Sequence, residues 1–166
     1  MCGIAGIVDL TGEHRVELQV LAAMAETLVH RGPDDAGFHV EERWGFAFRR
    51  LAILDLTTGN QPHYNEDRTI CSVCNGEIYN YRELKEMLIA RGHRFQTTCD
   101  VEVLVHLYEE EGREFLNRLN GQFSFAIYDK RGQVLFLARD HVGITPLFFT
   151  EAGGSFLFAS EVKAIL

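Results

Sequence analysis

The segment QFSFAIYD is apolar on both faces of the strand that it predicts. In an extended chain Phe123, Phe125 and Ile127 point to one side, while Ala126 and Tyr128 point to the other. A strand of this kind must be covered on both faces, because neither face is polar enough to stay in water. We therefore expect an α+β fold in which two mostly antiparallel sheets are stacked between outer layers of helices.

Periodic apolar residues predict the helices of those outer layers. Between residues 18 and 29 the apolar positions follow the 3.6-residue period of a helix that buries one face, and Pro33 comes soon after as a stop. Further helices are predicted over 82–91 and 100–112, near 114–119 and from residue 161 onward. Strands are predicted at 3–10, 37–42, 44–54, 69–75, 122–129, 133–140, 146–151 and 155–160.

Length and charge narrow the class of protein. The chain has 166 residues, so we expect a single domain spanning 1–166. Its 24 acidic and 16 basic residues give a net charge of -8, which opposes nonspecific binding to nucleic acid or to an anionic membrane surface. No apolar run approaches the ~20 residues of a membrane-spanning helix. We expect a cytoplasmic protein that binds a small molecule or another protein.

The four cysteines do not predict a disulfide framework or a metal site. They are Cys2, Cys71, Cys74 and Cys99 in a chain with ample apolar content for a core. Cys71 and Cys74 have the C-x-x-C spacing of a redox or zinc half-site, but no second half-site follows. Along a strand these two residues face opposite sides, so we expect no bound metal there.

Cys2 is a candidate nucleophile because of its position. If Met1 is removed, Cys2 carries a free α-amino group beside its thiol, so one residue supplies a nucleophile and a base. The alternative is a small apolar residue at the start of a buried strand. Asn75 and Gly76 are candidate donors for an oxyanion, through a side-chain amide and an unobstructed backbone N–H. An Asn-Gly pair is equally typical of a plain hairpin turn.

Charged residues in otherwise apolar surroundings are candidates for substrate binding. Arg50 lies in an apolar predicted strand, where a guanidinium group suits a carboxylate. Asp100 precedes a predicted helix, so it is either a helix N-cap or a ligand for a cation. Together, Arg50 for a carboxylate and Asp100 with Glu77 for an ammonium group would hold the α-carbon end of a free amino acid.

Eight blocks of sequence, in order, resemble one known family. They are MCGIAG, HRGPDD, RLAILDL followed by G-x-QP, NGEIYNYREL, the pair Asp100-x-Glu102, LNGQFSFAIYD, ARDHVGITPLFF and FASEVKAIL. This pattern is similar to the amino-terminal glutaminase domains of glutamine-hydrolysing asparagine synthetases, over essentially all of the chain. The resemblance implies a class II glutamine amidotransferase, a four-layer αββα sandwich of the N-terminal-nucleophile hydrolase type, and hydrolysis of L-glutamine to L-glutamate and ammonia.

The resemblance also implies roles for individual residues. Cys2 matches the nucleophile, with its own amine as base, directly or through water, and Asn75 and Gly76 match the oxyanion hole. The substrate-binding positions are Arg50 for the α-carboxylate, the pocket-lining Leu51, Ala52, Ile53 and Leu54, and Glu77 and Asp100 for the α-amine. Residues 30–35 match a loop near the site, with no assigned role.

The sequence departs from the family in two ways. Phe48 and Arg49 stand where many relatives have a histidine, and Cys74 stands where a larger apolar residue is common. Neither departure removes a required group, so they put the fine adjustment of the activity in doubt and not the activity itself. The chain also has no nucleotide-binding loop. We therefore expect no cofactor in this domain, with ATP and Mg bound only by a synthetase domain that acts in cis or in trans. The alternatives are a catalytically silent docking or regulatory domain, and a glutaminase that feeds another acceptor such as a sugar phosphate or a peptide carboxylate.

Overall fold

The computed structural model describes residues 1–52 and 59–166. That part of the chain forms nine strands, namely β1 (Gly3–Asp9), β2 (Asp35–Val40), β3 (Trp44–Arg50), β4 (His63–Tyr64), β5 (Ile70–Ile78), β6 (Gly121–Asp129), β7 (Val134–Arg139), β8 (Phe148–Ala152) and β9 (Ser155–Ala159). Its α-helices are α1 (Leu18–Glu26), α2 (Tyr81–Ala90) and α3 (Val103–Glu111), and short 3-10 helices cover Asp100–Glu102, Gly112–Arg118 and Val162–Ala164. None of the helices in this described part is long and apolar enough to span a membrane.

The strands form two sheets with antiparallel pairing throughout. The strand order is β2-β3-β1-β9-β8 in the first sheet and β4-β5-β6-β7 in the second. In the first sheet, Ala5 of β1 pairs with Ala47 of β3 on one side and with Ala159 of β9 on the other. β1 is therefore the central strand of its sheet, held along both edges.

Three apolar cores separate the layers. The core between the two sheets includes Ile4, Phe46, Phe48, Val73 and Phe158, all with 1% exposure or less. On the outside of the first sheet, α1 buries Leu21, Met24 and Ala25. On the outside of the second sheet, α2 and α3 bury Leu84, Leu88 and Leu104. The predicted α+β sandwich of layers αββα is thus confirmed.

β6 has the two-faced character that its sequence predicts. Phe123, Phe125 and Ile127 belong to the core under α2 and α3. Ala126 and Tyr128 belong to the core between the sheets. Because one strand contributes side chains to both cores, it joins the second sheet to the layers on either side.

The ends of several elements differ from the prediction. The helix predicted over 18–29 ends at Glu26, and the Thr27 hydroxyl donates to the carbonyl oxygen of Met24 over 2.8 Å. Leu28 is still buried against the same core, from the turn that follows. The strand predicted over 44–54 ends at Arg50. Apolar spacing predicts which residues are buried more accurately than it predicts where a helix or strand ends.

Cys71 and Cys74 face opposite sides of β5, as predicted. Cys71 is packed between the sheets, and Cys74 is packed under the helices. Burial raises the pKa of both thiols. All four cysteines lie in the described residues, and none of them forms a disulfide.

A steric constraint at Gly37 gives a test of the packing beside β2. A Cβ atom built on Gly37 would overlap the carbonyl oxygen of Gln61. Gly37→Ala therefore forces the backbone at Gln61 to move, and we expect the free energy of unfolding to fall by about 1–3 kcal/mol. Urea denaturation measures this loss beside Gly132→Ala, whose added methyl group meets only the Val134 Cγ2 atom, at 3.3 Å. Equal stability of the two variants would contradict the prediction.

Candidate active site

Cys2 directly precedes the central strand β1, next to the end of β3. Gly3 pairs with Arg49, so the chain that leaves β3 passes beside Cys2. The backbone N–H of Leu51 donates to Cys2 Sγ over 3.4 Å, and the thiol donates to the carbonyl oxygen of Leu51 over 3.6 Å. Burial raises the pKa of the Cys2 thiol, although the Leu51 hydrogen bond and the Arg50 charge oppose the shift. The thiol therefore keeps its proton at neutral pH in the ligand-free chain.

The loop at residues 30–35 holds the backbone of Cys2. Arg31 Nε donates to the carbonyl oxygen of Cys2 over 2.9 Å, and Arg31 Nη1 lies 3.1 Å from a carboxylate oxygen of Glu161. Arg49 Nε donates to the carbonyl oxygen of Gly32 over 3.0 Å, which fixes the loop against β3. The sequence assigned no role to this loop. A basic side chain beside a Gly-Pro turn was the available signal.

One cavity brings together most of the candidate residues. These residues come from four separate parts of the chain, namely the amino terminus, the end of β3, β5, and the 3-10 helix that precedes α3. The candidates that line the cavity are Cys2, Arg50, Leu51, Gly76, Glu77 and Asp100. Arg50 is 6% exposed, so its guanidinium group is held in the wall of this cavity.

Asn75 lies beside an adjoining cavity that is also lined by Cys2, Gly76 and Thr145. The Asn75 side chain is 1% exposed, and its Nδ2 atom has no hydrogen-bond partner among the described residues. A buried donor without a partner costs about 1–3 kcal/mol, so such groups are uncommon in folded proteins. An oxygen bound in this cavity would satisfy it.

Gly76 is required by the packing of the sheet as well as by the cavity. Its φ of 154° lies in a region that side chains rarely adopt. A Cβ atom here would overlap the carbonyl oxygen of Gln122 on β6. The structure thus adds a reason for glycine that the sequence did not provide.

Glu77 and Asp100 form a pair of neighbouring carboxylates. Asp100 Oδ2 accepts the Ile78 N–H over 2.6 Å, which ties the 3-10 helix to β5. Burial raises the pKa of Glu77 to about 7, and the charge and hydrogen bond of Asp100 add to the rise. Burial raises the pKa of Asp100 as well, against its backbone hydrogen bonds. Two acidic groups of this kind favour a bound cation, which stabilises both ionised forms.

The raised pKa of Glu77 has a consequence for stability. The folded-state pKa of about 7 lies above the ordinary value of 4.5, so ionisation of Glu77 opposes folding. The stability that it contributes is present at low pH and is lost as the pH rises from about 4.5 to about 7. At neutral pH, ionisation of Glu77 therefore lowers the stability of the ligand-free domain.

Gln61 supports β5 behind the cavity and was not identified from the sequence. Its Nε2 donates to the carbonyl oxygen of Cys74 over 3.0 Å, and its Oε1 accepts the Cys74 N–H over 2.6 Å. The side chain thus continues the edge of the second sheet beyond β4, where His63 pairs with Ser72. A Gln before a Pro gave no indication of this contact.

The remaining candidates lie elsewhere. The backbone N–H of Ala52 donates to Asp34 Oδ2 over 2.8 Å, and Ala52 is not among the residues that line the cavity. Ile53 and Leu54 lie outside the described residues. Phe48 and Cys74, two of the positions at which the sequence departs from the family, both line the cavity.

Residues 1–166 match the family described as the glutamine amidotransferase domain. The chain belongs to this family. The glutamine amidotransferase domain is 50% identical to a glutamine-hydrolyzing asparagine synthetase 2 of Bacillus subtilis (strain 168), over 99% of this chain and 22% of that protein. It is 45% identical to asparagine synthetase 3 of Arabidopsis thaliana, over 99% of this chain and 28% of that protein. The domain therefore spans about a quarter of the length of these relatives.

A solved structure supports the fold. The glutamine phosphoribosylpyrophosphate amidotransferase from B. subtilis, complexed with ADP and GMP, superposes with a TM-score of 0.80. The match covers 99% of this chain and 43% of that chain, at 23% sequence identity. The fold of the amidotransferase domain is thus shared with that structure.

The carboxylate pair gives a direct test of the site's electrostatics. We expect the Glu77 carboxyl of the ligand-free domain to titrate with a pKa of about 7. Asp100→Asn removes the neighbouring negative charge, so the pKa of Glu77 should fall, while burial keeps it above its ordinary value. Carbon-13 NMR of the side-chain carboxyl groups measures this, with the exposed Asp67→Asn as control. An unchanged Glu77 titration in Asp100→Asn would contradict the assignment.

Proposed function

We propose that this domain hydrolyses L-glutamine to L-glutamate and ammonia, with Cys2 as the nucleophile. The observation that carries the proposal is that the Cys2 thiol shares a cavity with the buried Asn75 amide, whose Nδ2 has no hydrogen-bond partner among the described residues. The adjoining cavity wall holds Arg50, Glu77 and Asp100. Membership of the glutamine amidotransferase family supports the same reaction. Each of these groups has a task in the chemistry.

The first half of the reaction forms a thioester. After removal of Met1, the Cys2 amine takes the thiol proton, directly or through water, and Sγ attacks the side-chain amide carbon of glutamine. Asn75 Nδ2 and the Gly76 N–H donate to the oxyanion that develops. The protonated amine then gives its proton to the leaving nitrogen, so ammonia departs and a γ-glutamyl thioester remains.

The second half returns the enzyme to its starting state. The Cys2 amine takes a proton from water, and the hydroxyl group attacks the thioester carbon. The second tetrahedral intermediate uses the same donors and collapses with release of glutamate. The thiol recovers its proton, so the amine and the thiol each end the cycle as they began. A base on Cys2 itself suits a thiol whose pKa is raised by burial, because the proton is removed only as the substrate is attacked.

The charged side chains that line the cavity select the substrate. Arg50 binds the α-carboxylate of glutamine, while Glu77 and Asp100 accept hydrogen bonds from its α-ammonium group. The ammonium group favours ionised Glu77, which offsets the burial that raises the pKa of that residue. A free amino acid therefore fits the cavity better than an amide without both charges.

We further propose that a synthetase domain, in cis or in trans, receives the ammonia. The greater length of the asparagine synthetases supports this, as do the exposed apolar side chains of Val142, Ile144 and Phe149, with exposures of 79%, 52% and 68%. ATP and Mg act there, and this domain uses no cofactor.

We also propose a cytoplasmic location. A silent docking domain is less favoured, since a buried Asn75 donor with no partner among the described residues has no structural purpose. A glutaminase that feeds a different acceptor remains the alternative.

The first test of the activity is removal of the nucleophile. We expect Cys2→Ala to reduce glutamate release to less than a tenth of the parent rate, because no other thiol lies at the described cavity with an amine beside it. Cys71→Ala, in the core between the sheets, is the matched control and should retain activity. Mass spectrometry of the intact chain establishes whether Met1 is removed. Turnover by Cys2→Ala above that limit would reject Cys2 as the nucleophile.

Kinetics separate the oxyanion donor from the binding groups. Asn75→Ala should lower kcat by about 10²–10³-fold with a smaller change in KM, as loss of one oxyanion donor does. Arg50→Ala should act mainly through KM, because the α-carboxylate keeps its charge during the reaction. Steady-state glutamate release measures both, with the exposed Asn117→Ala as control. If Asn75→Ala changed KM alone, Asn75 would be a binding residue.

A further inference from the structure

A second cluster of polar side chains lies on the helical layer outside the second sheet. Glu66 follows β4, His93 follows α2, and His106 and Glu109 lie one turn apart on α3. One ligand atom from each of the four residues falls within 4.8 Å of the others. The proposed glutaminase chemistry uses none of them.

His106 is the buried member of this cluster. Its side chain is 1% exposed, and neither ring nitrogen makes a hydrogen bond within the described residues. Glu66 Oε2 lies 3.3 Å from Nδ1 and Glu102 Oε1 lies 3.9 Å from Nε2, so carboxylates approach both nitrogens. A buried imidazole in this state is costly unless another ligand completes its coordination.

The spacing of the cluster fits coordination around one ion. His93 Nδ1 lies 3.3 Å from Glu66 Oε1, and His106 Nδ1 lies 3.3 Å from Glu66 Oε2. Bonds of about 2.0–2.2 Å to a tetrahedral zinc ion place neighbouring ligand atoms about 3.3–3.5 Å apart. Each imidazole thus approaches its own oxygen of Glu66 at the distance that ligands of a shared ion adopt. The four ligand atoms, which lie within 4.8 Å of one another, would draw closer together around the ion.

A second carboxylate lies behind each imidazole. His93 Nε2 is 3.3 Å from Glu110 Oε1, and His106 Nε2 is 3.9 Å from Glu102 Oε1. Histidines that bind a metal through one nitrogen commonly direct the other nitrogen to a carboxylate, which fixes the ring and its tautomer. Both histidines therefore have the same arrangement, with Nδ1 toward the cluster and Nε2 toward an outer acid.

The charge of the cluster also favours a divalent cation. Four carboxylates, from Glu66, Glu102, Glu109 and Glu110, surround the two imidazoles. Arg91 lies 2.9 Å from Glu110, and Arg131 lies 3.7 Å from Glu109, so two positive charges reach the outer part of the cluster. These two guanidinium groups are fewer than the four carboxylates, so the acidic groups of the cluster favour a divalent ion.

We propose that Glu66, His93, His106 and Glu109 bind a zinc ion. Imidazole and carboxylate ligands suit Zn²⁺, whereas Mg²⁺ and Ca²⁺ prefer oxygen ligands alone. Four protein ligands leave no open position, so the ion has a structural role. It joins the segment after β4 and the segment after α2 to α3. No metal was expected from the sequence, in which only Cys71 and Cys74 have a spacing typical of metal ligands.

The zinc ion would support the glutamine cavity from behind. Glu102, next to the cluster, accepts the N–H groups of Gln96 and Thr97 over 2.7 and 2.8 Å. These residues lead to Asp100, whose carboxylate lines the cavity. The ion thus stabilises the segment that positions Asp100, without contact with substrate.

The test uses the full chain in a Cys2→Ala background, so that the nucleophilic thiol does not bind metal. The chain, free of any affinity tag, is treated with chelator and dialysed against Zn²⁺. We expect one zinc ion per chain by elemental analysis and a rise of about 5 °C or more in Tm at saturation. The His106→Ala variant should lose both the bound zinc ion and the rise in Tm. His14→Ala removes an exposed histidine beside Asp9 and should lose neither.

A second measurement covers the case in which His106→Ala fails to fold. Glu109→Gln and His93→Gln alter less buried ligands, and both should weaken zinc binding at least tenfold by competition with a chelating dye. Co²⁺ in place of Zn²⁺ should give the strong visible absorption of four-coordinate cobalt, which each substitution should remove. Equal zinc content in the parent and the ligand variants, or no zinc-dependent rise in Tm, would overturn the proposal. Neither readout depends on glutamine hydrolysis.

Discussion

Backbone pairing along both edges of β1 holds the candidate nucleophile in place. Residues near a chain terminus usually fray, yet Cys2 stands one residue before a strand that is paired with β3 and β9. Gly6 lets these strands pack closely, since a Cβ there would overlap the Phe158 ring. Arg31 then fixes the carbonyl group of Cys2 itself. The position that would carry a free amine after removal of Met1 is thereby combined with the rigidity of a sheet centre.

The layers could be predicted from the sequence because burial leaves a periodic pattern. The alternation along β6 predicted two covered faces, and the structure places Phe125 and Tyr128 in different cores. The ends of helices and strands are marked less clearly in the sequence. Leu28 continues the apolar pattern of α1 from a turn, and β4 has two residues, too few for any period. Tertiary contacts decide these ends.

The site was predictable only where a residue acts through its own side-chain chemistry. Cys2, Asn75 and Asp100 were candidates because of their thiol, amide and carboxylate groups. A buried strand residue, a hairpin turn and a helix N-cap were the alternatives, and the resemblance to the family favoured the functional interpretation. Arg31 and Gln61 act on the backbone of residues that are distant in sequence, and such contacts leave no local pattern. The zinc ligands are spread over four positions between 66 and 109, so only the fold brings them together.

The active-site cavity and the helical layer are connected through Asp100. Its carboxylate accepts the Ile78 N–H on β5 and raises the pKa of Glu77, while the chain on its amino-terminal side is held by Glu102 beside the zinc ligands. A shift of this segment would alter the distance between the two acids, and with it the charge that the cavity presents to an ammonium group. Because the pKa of Glu77 lies near 7, small displacements change its ionisation at neutral pH. Rigid support behind Asp100 would therefore serve the proposed recognition of the substrate as well as the stability of the fold.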